Sequence, residues 1–241
     1  MFTGIIQELG IVARIERRRG LIRVSIDAPR TAGRVQRMES VAVNGVCLTV
    51  VSHQHGLLTF EMIQETQRLT TLGTLRAGAR VNLEPSLSLL DRLGGHLVFG
   101  HVDGVGRVTT CRRGGGEWSL EIAVPVEVGA WLVPKGPVAI DGVSLTVGRV
   151  RSASHFSVHL IPETLRQTTL GAYAVGDRVN LEIDYFAKLI ERVGRARWLT
   201  ELGTSEAPAR RRPRGGHTLS HRRYSSVGRG KGPAPRRPRV P

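Results

Sequence analysis

The sequence is written twice. Val43-Asn44-Gly45-Val46-Cys47-Leu48-Thr49-Val50 returns 97 residues on as Ile140-Asp141-Gly142-Val143-Ser144-Leu145-Thr146-Val147. Glu65-Thr66-Gln67-Arg68-Leu69-Thr70-Thr71-Leu72-Gly73 returns 98 residues on as Glu163-Thr164-Leu165-Arg166-Gln167-Thr168-Thr169-Leu170-Gly171, and Gly78–Glu84 returns as Gly176–Glu182. Three segments in the same order at a nearly constant offset mark a duplication. The period is too long for a solenoid repeat, so each copy is expected to be a domain with its own core. In the first segment an Asn-Gly or Asp-Gly pair leads into an apolar, β-branched run. That is a hairpin or strand-entry signal, because these residues tolerate positive φ. A small reactive or hydrogen-bonding side chain follows each turn: Cys47 in one copy, Ser144 in the other. A purely structural repeat would have no need to diverge there.

Within the first copy, Ile5 to Ile15 reads as a strand and Leu21–Ile26 alternates apolar and polar, the period-2 pattern of a half-buried strand. Val41 to Val51 and Leu57 to Met62 form an expected hairpin around Ser52–Gly56. Glu65 to Leu72 reads as a short helix stopped by Gly73, and Val81 to Glu84 closes the copy as a strand. Pro85 to Leu93 links the copies. The second opens at Gly94-Gly95-His96-Leu97-Val98-Phe99-Gly100-His101-Val102-Asp103-Gly104, with Asp103-Gly104-Val105 expected where the first copy has Thr3-Gly4-Ile5. Its strands are expected near 107–110, 118–125, 138–149, 156–160 and 178–182. Many short strands with regular turns indicate a closed barrel or a sandwich, and one short helix per copy fits a Greek-key barrel. The expected division is 1–93, 94–184, a helix within 185–203, and a tail from 204 to 241. The helix, from about Ala187 to Leu202, carries Phe186, Leu189, Ile190 and Val193 at helical spacing. Such a stripe packs either on its own chain or, the sharper expectation, on copies of itself.

The net charge of +15 is concentrated at one end. Of 35 Lys and Arg, eleven lie from Ala207 to Pro241, where there is no acid, which leaves 24 basic against 20 acidic residues before it. The body is only mildly basic and gives little reason to expect a nucleic-acid binder. The Arg-, Pro- and Gly-rich tail lacks the apolar surface to offset ordering entropy, so disorder is expected, with weak RNA or acidic-surface contacts as its one sharper role. Cys47 and Cys111 are no disulfide framework. No apolar run approaches a membrane span, and the N-terminus lacks a signal-peptide pattern, so a cytoplasmic setting is expected.

Taken together, Met1–Ile6, Asn44–Val50, Gly94–Gly104 and Asp141–Val147 resemble riboflavin synthase of the alpha-chain type, over about residues 1–202. The resemblance implies an all-β fold of two homologous six-stranded Greek-key barrels plus a C-terminal helix that holds a homotrimer. It implies a transferase that dismutates two molecules of 6,7-dimethyl-8-ribityllumazine, by four-carbon transfer, to riboflavin and 5-amino-6-ribitylaminouracil. No metal or redox cofactor is implied. Each barrel binds one lumazine, and the site lies between the N-terminal barrel of one subunit and the C-terminal barrel of its neighbour. Duplication suits this chemistry, since two identical reactants need two similar pockets held in register.

The resemblance assigns catalytic roles to Phe2, Cys47, His101, Ser144, Thr146 and Asp184. Phe2 belongs to a segment covering the site, Cys47 assists at the lumazine ring, and Ser144 helps add a nucleophile at ring C7. Read alone, Cys47 is a small buried hydrophobe, Ser144 and Thr146 are strand hydroxyls, His101 is a surface histidine, and Asp184 is a helix N-cap. Ligand contacts are expected from Gly4, Ile5, Ile6, Cys47, Leu48 and Thr49; from Glu61, Met62, Ile63, Gln64, Glu65 and Thr66; from Gly100, His101 and Val102; from Ser144, Leu145 and Thr146; and from His159, Leu160, Ile161, Pro162, Glu163 and Thr164. Lys135 matches a family lysine near the ligand of the N-terminal barrel. Gln64 stands where the family has proline, as Pro162 does here, which bears on the loop of the first pocket. Cys111 reads as structural. The alternative to the enzyme is a non-catalytic lumazine- or flavin-binding protein of the same fold, and a third class is an RNA binder using the Arg-rich tail.

Overall fold

In the computed structural model, residues 1–114 and 117–204 are described. The basic stretch from Ala207 lies outside them. The first copy forms β1 (Glu8–Arg18), β2 (Leu21–Asp27), α1 (Pro29–Ala32), β3 (Ser40–Val43), β4 (Val46–Gln54), β5 (Leu57–Ile63), α2 (Gln64–Leu69) and β6 (Arg80–Pro85). The strands close into an antiparallel barrel in the order β1-β2-β5-β4-β3-β6. The second copy forms β7 (Gly104–Gly114), β8 (Glu117–Ala123), α3 (Val126–Gly129), β9 (Pro137–Ile140), β10 (Val143–Ser152), β11 (His155–Leu160), α4 (Pro162–Gln167) and β12 (Arg178–Ile183). Its barrel, β10-β11-β8-β7-β12-β9, is the same Greek-key circuit. A helix, α5 (Tyr185–Thr204), leaves the second barrel.

Period-2 alternation places one face of each strand inside. In β2, Ile22, Val24 and Ile26 point into the first core with Val50, Phe60 and Leu83. Val108, Ile122, Phe156, Val158 and Leu181 do the same in the second. Each barrel thus has a core of its own. Among the described residues, no helix is long and apolar enough to cross a membrane.

Several expectations change in detail. The runs 41–51 and 138–149 are each two strands rather than one, because Asn44-Gly45 and Asp141-Gly142 form the turns themselves. Glu65–Leu72 is a helix over 64–69 followed by a separate 3-10 turn at Thr71–Thr74. The opening of the second copy also shifts. Gly4 and Gly100 have the same φ of 77°, and β1 and β7 begin 96 residues apart. Phe2–Ile6 therefore corresponds to Val98–Val102, not to a segment aligned on Asp103-Gly104-Val105.

The barrels meet on a pseudo-twofold axis. A Cβ on Gly45 would lie 2.6 Å from the Gly142 nitrogen, and one on Gly142 would lie 2.8 Å from the Gly45 nitrogen, so the two turns can touch only as glycines. Around this contact the Asn82 amide donates to the Asp141 carbonyl (2.9 Å) and the Asn180 amide donates to the Asn44 carbonyl (2.8 Å). Their side-chain oxygens accept from Thr169 N and Thr71 N, both at 2.8 Å. Asn82, Asn180 and Asp141 are buried, and these paired bonds satisfy polar groups whose isolation from water would cost a few kcal/mol each.

Candidate functional site

Each barrel lends its leading segment to the other. Phe2 and Val98 pair antiparallel at the centre of the molecule, Phe2 N donating to Val98 O (2.7 Å) and Val98 N to Phe2 O (3.1 Å). Both side chains are buried with Ala42 and Ala139 in a cluster that Cys47 borders. From this pin the N-terminal arm runs to the second barrel. There Ser144 N donates to Gly4 O (2.8 Å), and Ile6 packs on that barrel's core. The arm at 98–102 runs to the first barrel, where Cys47 N donates to Gly100 O (3.0 Å) and Val102 packs on the other core. A Cβ on Gly4 would fall 2.6 Å from Ser144 Cβ, and one on Gly100 would fall 2.5 Å from Cys47 Cβ.

Two buried carboxylates hold the arms. Glu84 at the end of the first barrel accepts from Thr3 N and Thr3 Oγ1, both at 2.7 Å, and from Gly4 N at 2.9 Å. Glu182 accepts from Phe99 N (2.6 Å), Gly100 N (2.9 Å) and His101 N (3.1 Å). Burial pushes both carboxyls up, Glu182 to about 7, and the donated N–H bonds oppose the shift.

At the second barrel the arm borders a cleft of about 470 Å³. Ser144, Leu145 and Thr146 of β10 form one wall, and His159 and Ile161 of β11 with Thr164 of α4 form another. Lys135 and Pro137 stand at one side, and Gly95 and His96 at another. Ser144 Oγ lies 2.7 Å from His96 Nδ1. Burial pushes the His96 imidazole below its ordinary value, and the nearby Asp184 partly opposes this. A neutral imidazole beside a hydroxyl can take its proton or orient it. His96 N donates to Thr3 O (3.1 Å), so the arm that bonds Ser144 also holds His96 in place.

The outer face of the first barrel carries the matching set: Cys47, Thr49, Glu61, Ile63 and Thr66. Its chemistry differs. Among the described residues Cys47 has no histidine partner, and Glu61 is paired to Arg23 (2.5 Å) where the second barrel has His159 beside Ser119. Both cysteines are free thiols.

The remaining expected site residues divide by strand geometry. The side chains of Leu48, Met62 and Leu160 lie in the cores, so only their backbone can face a ligand. Phe2 is fully buried between the barrels; it pins the arms and does not lie over the cleft. Lys135, expected near the N-barrel ligand, lines the C-barrel cleft within this chain. Its φ of 67° is part of the turn that carries Lys135 N to Val147 O. Asp184 caps α5, its Oδ1 accepting from Phe186 N (3.2 Å), and it also acts on His96. His101 is exposed, stacked beside Phe99 at 6.2 Å. Glu65 and Glu163 are exposed and paired to Arg68 and Arg166; Gln64 and Pro162 open α2 and α4, and the exposed Ile5 donates its N–H to Thr3 Oγ1 (3.1 Å). His96 is the residue that sequence reasoning missed. The signal was present, since it follows Gly94-Gly95 much as His101 follows Gly100.

The arrangement defines a class. The model of the lumazine binding domain matches residues 3–86 and again 99–184, and the chain belongs to this family with two copies of the domain. The matched spans begin 96 residues apart, as the arms do. The chain is similar to the riboflavin synthase of Mycobacterium bovis, 44% identical over 81% of this chain and 99% of that protein. It is 43% identical to the riboflavin synthase of Chlamydia pneumoniae, over 78% of this chain and 92% of that one. Among solved structures it resembles LumP complexed with riboflavin (27% identity, TM-score 0.70, 76% of this chain and 100% of that chain). LumP complexed with 6,7-dimethyl-8-(1'-D-ribityl) lumazine is similar at 26% identity and a TM-score of 0.69, over 76% and 99% of the two chains.

Proposed function

We propose that the chain is a riboflavin synthase, a transferase that dismutates two 6,7-dimethyl-8-ribityllumazine molecules to riboflavin and 5-amino-6-ribitylaminouracil. The observation that carries this reading is the pair of faces, each bonded to an arm, with unlike chemistry: Ser144 with His96 on one barrel and the free Cys47 on the other. A ligand-holding duplication would be served by two equal pockets, whereas donor and acceptor of a four-carbon unit need different handling. In this reading His96 takes the Ser144 proton, and the hydroxyl helps a nucleophile add to the ring in the second barrel. Thr146 and Lys135 contact the same lumazine. Cys47, Thr49 and His101 meet the lumazine of the first barrel.

We further infer a homotrimer assembled through α5, whose Tyr185, Phe186, Leu189, Ile190 and Val193 are exposed on a single chain. The reacting faces then belong to neighbouring subunits. A cytoplasmic compartment suits a site thiol that must stay reduced.

The competing reading is a binding protein, and the similarity to LumP gives it substance. Incubation of the full chain with 6,7-dimethyl-8-ribityllumazine separates the two. Riboflavin and the uracil product should accumulate in equal amounts. Tight binding with no turnover would establish the binding protein instead.

A further inference from the structure

The second barrel carries a second cleft beside the first. About 330 Å³ in volume, it is formed by Arg112 of β7, Ser119 and Glu121 of β8, Arg149 and Arg151 of β10, and Ser157 and His159 of β11. His159 lines both clefts. Three arginines line it, and two of them meet one carboxylate. Arg151 pairs with Glu121 at 2.8 Å and Arg112 approaches it at 3.9 Å, while the Arg149 guanidinium has no ion-pair partner among the described residues. The Arg149 backbone is fixed, its N–H donating to Ser157 Oγ (3.0 Å). The cleft therefore holds a net charge of about +2 and two hydroxyls, the donor set that recognises a phosphate group.

The duplication supplies an internal control. At the equivalent places the first barrel has Glu16 for Arg112, Arg23 for Ser119, Ser25 for Glu121, Thr59 for Ser157 and Glu61 for His159. The end of β4, Val51-Ser52-His53-Gln54, has no arginine where β10 carries two. The cationic cleft is thus private to the barrel that carries Ser144 and His96, and is not a property of the scaffold. His159, which lines both clefts, joins the arginine cleft to the cleft walled by Ser144 and Thr146.

We propose that this cleft binds the phosphate of a ribityl phosphate monoester whose ring occupies the Ser144 cleft. The site would then accept a phosphorylated flavin or lumazine in place of the unphosphorylated ligand. This deepens the functional reading above and rests on it.

The test is a fluorescence titration of the full-length protein with riboflavin and with flavin mononucleotide, at low and at raised salt. The mononucleotide should bind about tenfold more tightly at one site per chain, and the advantage should shrink with salt. Inorganic phosphate should weaken the mononucleotide and leave riboflavin unaffected. In Arg149→Gln/Arg151→Gln the two flavins should bind alike, with riboflavin affinity as in the parent, which also reports that the variant is folded. Riboflavin binding with no advantage for the mononucleotide, or an advantage that survives the double substitution or added phosphate, overturns this proposal alone. Failure to bind riboflavin at all overturns the functional reading and this proposal with it.

Discussion

At the scale of single residues, two contacts carry the account. Ser144 Oγ and His96 Nδ1 lie 2.7 Å apart, and in the proposed reaction they work together, so their effects should not add. Ser144→Ala and His96→Gln are each expected to lower kcat by about 10² or more, and the double variant by little more than either. Burial lowers the His96 pKa, so the neutral base persists below the ordinary histidine range. The kcat/KM profile should fall on the acid side only below about pH 6.5, and that limb should vanish in His96→Gln. An unchanged limb would remove His96 from the reaction. Asp141 is the second contact. Fully buried on the axis between the barrels, its carboxyl is pushed up to about 7 mainly by desolvation, while Asn180 N and Tyr173 Oη donate to it at 2.9 and 2.7 Å. Its folded value lies above its unfolded one. The linked stability is therefore present below about pH 4 and is lost as pH rises through 7. The opposite copy has Asn44 at this position. Asp141→Asn should flatten urea-denaturation stability between pH 5 and 8 by on the order of 3 kcal/mol, and a curve parallel to the parent would contradict this.

At the scale of elements, the exchanged arms tie the cores to the site. Gly100→Ala places a methyl against Cys47 Cβ and strains a left-handed position. Gly78→Ala meets the same strain at φ 84° with nothing within 4 Å. The Gly100 variant should lose about 2 kcal/mol or more and most of its turnover, while the Gly78 variant should lose about 1 kcal/mol and keep its rate. Equal effects would mean that the arm does not shape the site. The barrels themselves were legible in the sequence, because strand alternation and paired turns are local signals. The arms were not. Gly4 and Gly100 share little but glycine, and Thr3-Gly4-Ile5 finds a closer-looking partner in Asp103-Gly104-Val105. What makes the arms equivalent is a tertiary fact, a buried glutamate some 80 residues downstream receiving their N–H groups. His96 escaped for the same reason, since its partner Ser144 is 48 residues away. Strand parity was readable, yet the resemblance named whole stretches as ligand contacts, so Leu48, Met62 and Leu160 were included although alternation turns them inward. For α5, the exposed stripe argues for self-association: a chain cut before Ala187 should sediment as a monomer, and a trimer surviving the cut would place the interface elsewhere.

At the scale of the whole molecule, the duplication gives two similar faces, and the proposed reaction assigns them different work through the divergence at Cys47 and Ser144. Within one chain these faces belong to different barrels related by the twofold axis through Gly45 and Gly142. In the proposed trimer the Cys47 face of one copy meets the Ser144 face of its neighbour, and mixing two damaged proteins tests that pairing. Cys47→Ala injures only the first barrel and Ser144→Ala only the second, and each alone should be slow. After dissociation and reassembly together, some interfaces join an intact first barrel from the Ser144 variant to an intact second barrel from the Cys47 variant. Turnover per chain should then rise above that of both parents. Mixed oligomers verified by mass whose turnover is no higher than the average of the parents would contradict it.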